Sequence, residues 1–185
     1  MSVVISMLRG INVGGHNRIK MDALCALYRS LKLEDPCTYV QSGNVIFRTK
    51  EKNLAALRRK IEEAIERRAG FRPDVILRTP DEFRGAIARN PFARRKGLEP
   101  AKLLVSFLAD DPIGEARENL LALKPDPEEV HLIGREVYIY FPNGAGRSKL
   151  PWSSLEKQVG TRGTARNWNS VTKMLAMAEE METAK

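Results

Sequence analysis

The chain has 185 residues, a formal net charge of +8 at pH 7, 43% hydrophobic and 29% charged residues. That balance is that of a soluble globular protein, long enough for one larger α/β domain or for two compact subdomains sharing a core. No apolar run approaches the roughly 20 residues of a membrane helix, so no membrane association is expected.

In chain order, Val3–Leu8 is a continuous apolar run and reads as a central strand; it has no basic lead-in and no cleavage site, so it is not a signal peptide. A glycine-rich loop follows through Lys20. Leu24, Leu27, Tyr28 and Leu31 recur at helical spacing behind Asp22, and Pro36 closes that segment. Thr38-Tyr39-Val40 and Val45-Ile46-Phe47 flank the turn Ser42-Gly43-Asn44 and predict a hairpin. Leu54, Leu57, Ile61 and Ile65 mark an amphipathic helix ending at Gly70, and Val75-Ile76-Leu77 is a further strand. The order β-α-β-β-α-β is the ferredoxin-like split βαβ unit.

Thr79-Pro80-Asp81-Glu82 predicts a helix start and a helix running to about Arg89, with Asn90–Gly97 as a linker. The order then recurs. Leu103–Leu108 is a strand, Ile113–Leu123 a helix, and Val130–Ile133 with Val137–Phe141 a hairpin around Gly134-Arg135-Glu136. Helices follow near Trp152–Val159 and Asn169–Met181. The second set trails the first by roughly 90–95 residues, a duplication of topology with little residue identity. The expected fold is α+β: a ferredoxin-like subdomain over 1–79, a helix and linker over 80–100, and a second ferredoxin-like subdomain over 101–185. In the second, helices stand where the first has its last strand.

Charge is unevenly placed. Residues 1–100 carry 20 Lys and Arg against 11 Asp and Glu, and residues 101–185 carry 11 against 12. A basic first part invites an anionic partner; ordinary solubility charge is the alternative, since Arg58, Arg59, Lys60, Arg67 and Arg68 fall on the wet face of a helix. Cys25 and Cys37 form no Cys-x-x-Cys pair and are expected as reduced thiols of a cytoplasmic protein. His16 and His131 are the two histidines, and without a Cys, His or carboxylate cluster at ligand spacing neither a metal nor another cofactor is expected.

Four segments mix Gly and Asn with basic or amide side chains: Leu8–Gly15, Gln41–Asn44, Phe141–Leu150 and Gly163–Asn169. Such loops present backbone N–H groups and cations to an anion. The first is neither a Walker A loop nor a dinucleotide fingerprint, because its glycines have the wrong spacing. Tyr138 and Tyr140 share one face of a strand. They could stack bases, but without the aromatic signature of RNA-recognition modules they are expected to pack against a helix or the other subdomain. Trp168 either stacks on a ring beside Arg166 or anchors the last helix.

The motifs Leu8-Arg9-Gly10-Ile11-Asn12-Val13-Gly14-Gly15, Tyr39-Val40-Gln41-Ser42-Gly43-Asn44-Val45, Tyr140-Phe141-Pro142-Asn143-Gly144 and Gly163-Thr164-Ala165-Arg166-Asn167-Trp168-Asn169 resemble those of the bacterial domain-of-unknown-function family number 1697. Ile19-Lys20-Met21 and Asn90-Pro91-Phe92 fit as well, so the resemblance runs from Met1 to about Met181. It implies paired ferredoxin-like subdomains and brings no activity, cofactor or catalytic residue. Where the family commonly has Lys, this chain has His16.

Three functional readings follow. In the first, the loops converge and hold a nucleotide, a phosphorylated metabolite or nucleic acid through Arg9, Asn12, Lys20, Gln41, Asn44, Arg147, Lys149, Arg166 and Asn169, cations neutralising charge and amides fixing orientation. In the second, a metal-free hydrolase or transferase acts on a phosphorylated substrate, with His16 or Asp22 as acid or base. In the third the motifs serve the fold, and Asn12, Asn44, Asn143 and Asn167 are buried and bonded to backbone. The sequence sets no oligomeric state.

Overall fold

The computed structural model describes residues 1–123, 127–150 and 152–184, with Trp152 and Ser153 given by backbone alone. The chain is α+β and forms two compact units: Met1–Arg84 with the segment from Lys173 onward, and Gly85–Thr172. The division falls inside the helices α3 (Pro80–Ala88) and α6 (Trp168–Thr183).

The first unit contains β1 (Ser2–Leu8), α1 (Met21–Ser30), β2 (Glu34–Tyr39), β3 (Asn44–Thr49), α2 (Leu54–Ala69) and β4 (Val75–Arg78). Its antiparallel sheet has the order β2-β3-β1-β4. Val4, Leu8, Val45, Phe47, Val75 and Leu77 on one face pack on α1 and α2 through Leu24, Leu27, Tyr28, Leu57, Ile61 and Ile65. Ser6 interrupts this apolar face, and its hydroxyl shares a buried 2.8 Å hydrogen bond with the Tyr28 hydroxyl, which satisfies both. Burial raises the Tyr28 pKa above its ordinary value. Asn53 caps α2 by accepting from the Ala56 amide, and Gly70 ends it in the left-handed conformation, as its position predicts. Pro36 lies inside β2 and does not end the preceding segment: β2 is an edge strand with an irregular register between Glu34 and Cys37, where a missing N–H costs little.

The helix start foreseen at Thr79 is present, and it is a capping box. The Glu82 amide donates to Thr79 Oγ1 at 3.2 Å and the Thr79 amide to Glu82 Oε2 at 2.8 Å.

The second unit contains β5 (Leu103–Leu108), α4 (Ala116–Ala122), β6 (Glu129–Ile133), β7 (Glu136–Tyr140), α5 (Trp152–Val159) and β8 (Gly163–Asn167), with sheet order β6-β7-β5-β8. Helix α4 starts three residues later than Ile113, beyond Gly114. The expectation that this half ends in helices alone is corrected: Gly163–Asn167 is a fourth strand, antiparallel to β5, and α6 follows it. A Gly-Thr-Ala-Arg-Asn strand has little β propensity of its own. Gly163 is there because a Cβ would stand 2.6 Å from Ser106 Oγ and 3.2 Å from the Phe107 carbonyl. The segment expected as a linker is packed on β6 and β7. Phe92 is buried edge-on to His131, and the Arg95 guanidinium lies 5.3 Å from the Phe92 ring, 5.1 Å from the Tyr140 ring and 2.7 Å from Glu129 Oε1. Tyr138 is fully buried and donates to the Ala86 carbonyl of α3 at 2.6 Å, as the packing expectation required.

The duplication extends to single residues. Leu8 and Leu108 both donate their amides to the carbonyl closing the adjacent hairpin, that of Gly43 or Arg135, at 2.9 Å. Arg78 pairs with Ile5, and Arg166 with Val105, in the same strand of each sheet. Each buried guanidinium donates to the carbonyl of the preceding residue, Leu77 at 3.0 Å or Ala165 at 2.9 Å.

Candidate functional site

In the first unit, residues 9–20 leave β1 and enter α1 through five left-handed residues: Gly10, Asn12, Gly14, Gly15 and Asn17. Val13 and His16 pair across Gly14-Gly15 in a tight turn whose two central residues both have positive φ, which only such residues adopt cheaply. Two asparagines fix the loop. Asn12 Oδ1 accepts from the Ile19 amide at 2.9 Å, and its Nδ2 donates to the Ile19 carbonyl at 3.0 Å and the Gln41 carbonyl at 2.9 Å. Asn17 Nδ2 donates to the Gly10 carbonyl at 3.0 Å. The bond to Gln41 ties this loop to the β2–β3 turn. There Gly43 sits at φ 74° with Ile11 and Leu8 so close that an added Cβ would clash with both side chains. Asn44, fully buried, donates to the Tyr39 carbonyl at 3.1 Å and to Ser42 Oγ at 2.9 Å.

What this scaffold displays is specific. Val13 is 66% exposed at the tip, and Val40, a β-branched residue held at φ 51°, is 51% exposed on the neighbouring turn. His16, Gln41, Arg18 and Lys20 are exposed, and among the described residues the side chains of Arg18 and Lys20 make no ion pair. Arg9 differs: its guanidinium reaches Asp74 Oδ2 at 3.2 Å and its amide the Asp74 carbonyl, so its charge is matched and it fastens the loop to the start of β4.

In the second unit, Phe141–Leu150 turns through Gly144 at φ 83° and a short 3-10 turn over Ala145–Arg147. Ser148 Oγ accepts from the Leu150 amide at 3.0 Å, within the turn ahead of α5. Arg147 and Lys149 are exposed and make no ion pair among the described residues. Arg166 is placed otherwise. It is 8% exposed in β8, donates to Thr164 Oγ1 at 2.7 Å, and burial pushes its pKa down to about 10. Asn169 is exposed in the first turn of α6, which Asn167 caps by accepting from the Ser170 amide at 2.8 Å.

Of the residues singled out from the sequence, Arg9, Asn12, Lys20, Gln41 and Asn44 belong to two linked loops of the first unit. Arg147, Lys149, Arg166 and Asn169 belong to the second unit. Asn44 is buried and bonded to backbone, as the third reading requires; Asn12 and Asn167 bond to backbone but are only half-buried, and Asn143 is exposed. Arg18, beside Lys20 on the same loop, is a further exposed cation there, and sequence reasoning passed over Arg78; the register of the duplication would have found Arg78 as the counterpart of Arg166. Among the described residues no group of three or more His, Cys, Asp or Glu is placed to hold a metal ion. Both cysteines are free, and burial pushes the Cys37 thiol up, away from a reactive thiolate.

Fold and loops together define a class of protein: tandem ferredoxin-like units, each carrying one glycine-rich basic loop. The chain belongs to the family of proteins of unknown function DUF1697, whose model matches residues 1–138; the Tyr140–Gly144 and Gly163–Asn169 motifs lie beyond the matched part. Its fold is that of a conserved bacterial protein from Streptococcus pneumoniae, with a TM-score of 0.72 and 20% identity over 96% of this chain and 98% of that one. None of the curated proteins matches the chain.

Proposed function

We propose that the protein binds a phosphate-bearing anion, a nucleotide, phosphorylated metabolite or nucleic acid, at these loops. The observation that carries the reading is a difference between the two units. The second unit joins its first strand to its first helix with residues 109–115, where the first unit uses residues 9–20. The first unit joins its third strand to its second helix with residues 50–53, where the second uses residues 141–151. Each long connection exceeds what the topology needs, each is rich in glycine, and each carries two cations without an ion-pair partner among the described residues. Long connections of this kind are often functional.

Within the proposal, roles divide. Asn12 and Asn44 build the surface, with Arg9 and Arg166 held by protein groups. Lys20 with Arg18, and Arg147 with Lys149, supply charge, and Gln41 and Asn169 supply amides. Cations on a prefixed loop bind an anion without a further ordering cost. The reading places the protein in the cytoplasm, consistent with two free thiols. No helix among the described residues is long and apolar enough to cross a membrane.

The test is a titration of the full chain with ATP and with a labelled single-stranded RNA at low salt. Binding is expected to weaken at least tenfold in R18A/K20A or in R147A/K149A, with melting unchanged, and to fall steeply with salt. Equal binding by wild type and both variants, or no binding by wild type, contradicts the proposal.

A further inference from the structure

Away from the loops, the outer face of the first unit carries a groove of about 540 Å³ between α1 and α2. It is lined by Ala23, Ala26, Leu27, Ser30, Leu31 and Ala64, and at the C-terminal end of α2 by Arg67 and Arg68. Small side chains on both helices keep the groove open and let an incoming backbone approach. The charges around it are not equivalent. Arg58 and Arg72 are paired with Glu62, and Arg72 also with Glu66, whereas Arg67 and Arg68 are exposed and make no ion pair among the described residues. The nearby carboxylates Glu62 and Glu66 are thus already engaged, and a cationic rim borders a largely apolar lining.

We infer that this groove docks an acidic amphipathic helix of a protein partner. Its apolar side chains would lie over Ala23, Ala26 and Ala64, and its carboxylates would meet Arg67 and Arg68. Charge complementarity sets the partner's sign and the largely apolar lining sets its apolar face. A nucleic acid fits less well. The groove lining offers no aromatic ring for a base, its cations sit at one end only, and Glu63 is exposed on the same helix. This inference is independent of the anion-binding loops, and neither Arg67 nor Arg68 belongs to them.

The probe is a labelled helix-forming peptide with Leu at every third and fourth position and Glu on the flanks, read by fluorescence anisotropy against the full chain. Its Lys-for-Glu counterpart and a scrambled version serve as controls. The Glu peptide is expected to bind wild type and to bind at least tenfold more weakly to A26W, which fills the groove at an exposed position, and to R67E/R68E, which inverts the rim. The Lys peptide is expected to bind R67E/R68E and not wild type. Absence of Glu-peptide binding, equal binding of the scrambled peptide, or indifference to A26W overturns the inference. So does single-stranded RNA that binds wild type, is lost in R67E/R68E and is unaffected by A26W, which would make the rim a polyanion site.

Discussion

The two units share strand order and the register of the pairings made by their first strands, yet differ where the fold leaves freedom. Both place a serine at the same point of the first strand, Ser6 or Ser106, and a buried arginine on the last, Arg78 or Arg166. Both bury a polar group at the start of the third strand: Asn44 in one, and in the other Glu136, which Arg89 meets at 3.0 Å. They part at the hairpin and at the strand-to-helix connections. The first unit's hairpin closes through Val40–Gly43, which Asn12 ties to the long loop after β1. The second closes through Gly134-Arg135 and has its long loop after β7. What recurs is what a four-stranded sheet with two helices demands. What does not recur marks the places where each unit has acquired something the fold does not need.

Breaking the comparison at the hairpin should give the largest effect. Gly43→Ala places a Cβ against Ile11 and Leu8 in a left-handed backbone and is expected to cost about 3 kcal/mol. Its counterpart Arg135→Ala removes a side chain paired with Asp111 at 3.8 Å, leaves the main-chain bond from Leu108 in place and introduces no clash, and is expected to cost clearly less than Gly43→Ala. Chemical denaturation of both variants checks this, and equal costs would remove the asymmetry.

Next comes Asn12→Ala, which deletes three side-chain hydrogen bonds and releases the long loop, at about 2 kcal/mol. Amide exchange should quicken at Ile19 and leave the second unit's amides unchanged.

Tyr28→Phe strands the buried Ser6 hydroxyl, at about 1 kcal/mol near neutral pH. Its pH dependence sharpens the point. The Tyr28 hydroxyl has a folded pKa raised by burial, so its contribution is complete below the unfolded value of 10.0 and is lost as pH rises through the folded one. Burial raises Tyr138 in the second unit as well. Wild-type stability should fall above about pH 10, and each Tyr→Phe variant should fall less steeply.

The smallest effect belongs to Arg84, which bonds Asp81 at 2.6 Å and Glu179 at 2.9 Å and also meets Glu182. The group is two-fifths exposed, so Arg84→Ala is expected to leave the denaturation midpoint nearly unchanged in spite of three partners. A larger loss by denaturation would show a network stronger than exposed pairs usually make.

Much of this fold was legible because local chemistry and tertiary fate agree. Val3–Leu8 is apolar because both faces of β1 are buried. Thr79-Pro80-Asp81-Glu82 is a helix start in the sequence and a capping box in the structure. Asn53 and Gly70 bound α2 as such residues do. Gly163–Asn167 was illegible as a strand because its partners choose its residues: Gly163 yields to Ser106, and Arg166 is buried by its surroundings and not by its own apolarity. The loop asparagines were visible as a motif, but composition cannot separate an amide that builds a loop from one that contacts a ligand. Asn12 and Gln41 differ in that respect only once the bond between them is seen: the side chain of one holds the backbone of the other.

The most direct test of the central claim is an amide NMR titration of the full chain with pyrophosphate. The account predicts saturable shifts over residues 10–20 and 40–43 in the first unit and 142–149 in the second, abolished by R18A/K20A in the former and by R147A/K149A in the latter. Shifts scattered over the α2 arginines, or none at millimolar pyrophosphate, would contradict it and leave the glycine and asparagine motifs to the fold alone.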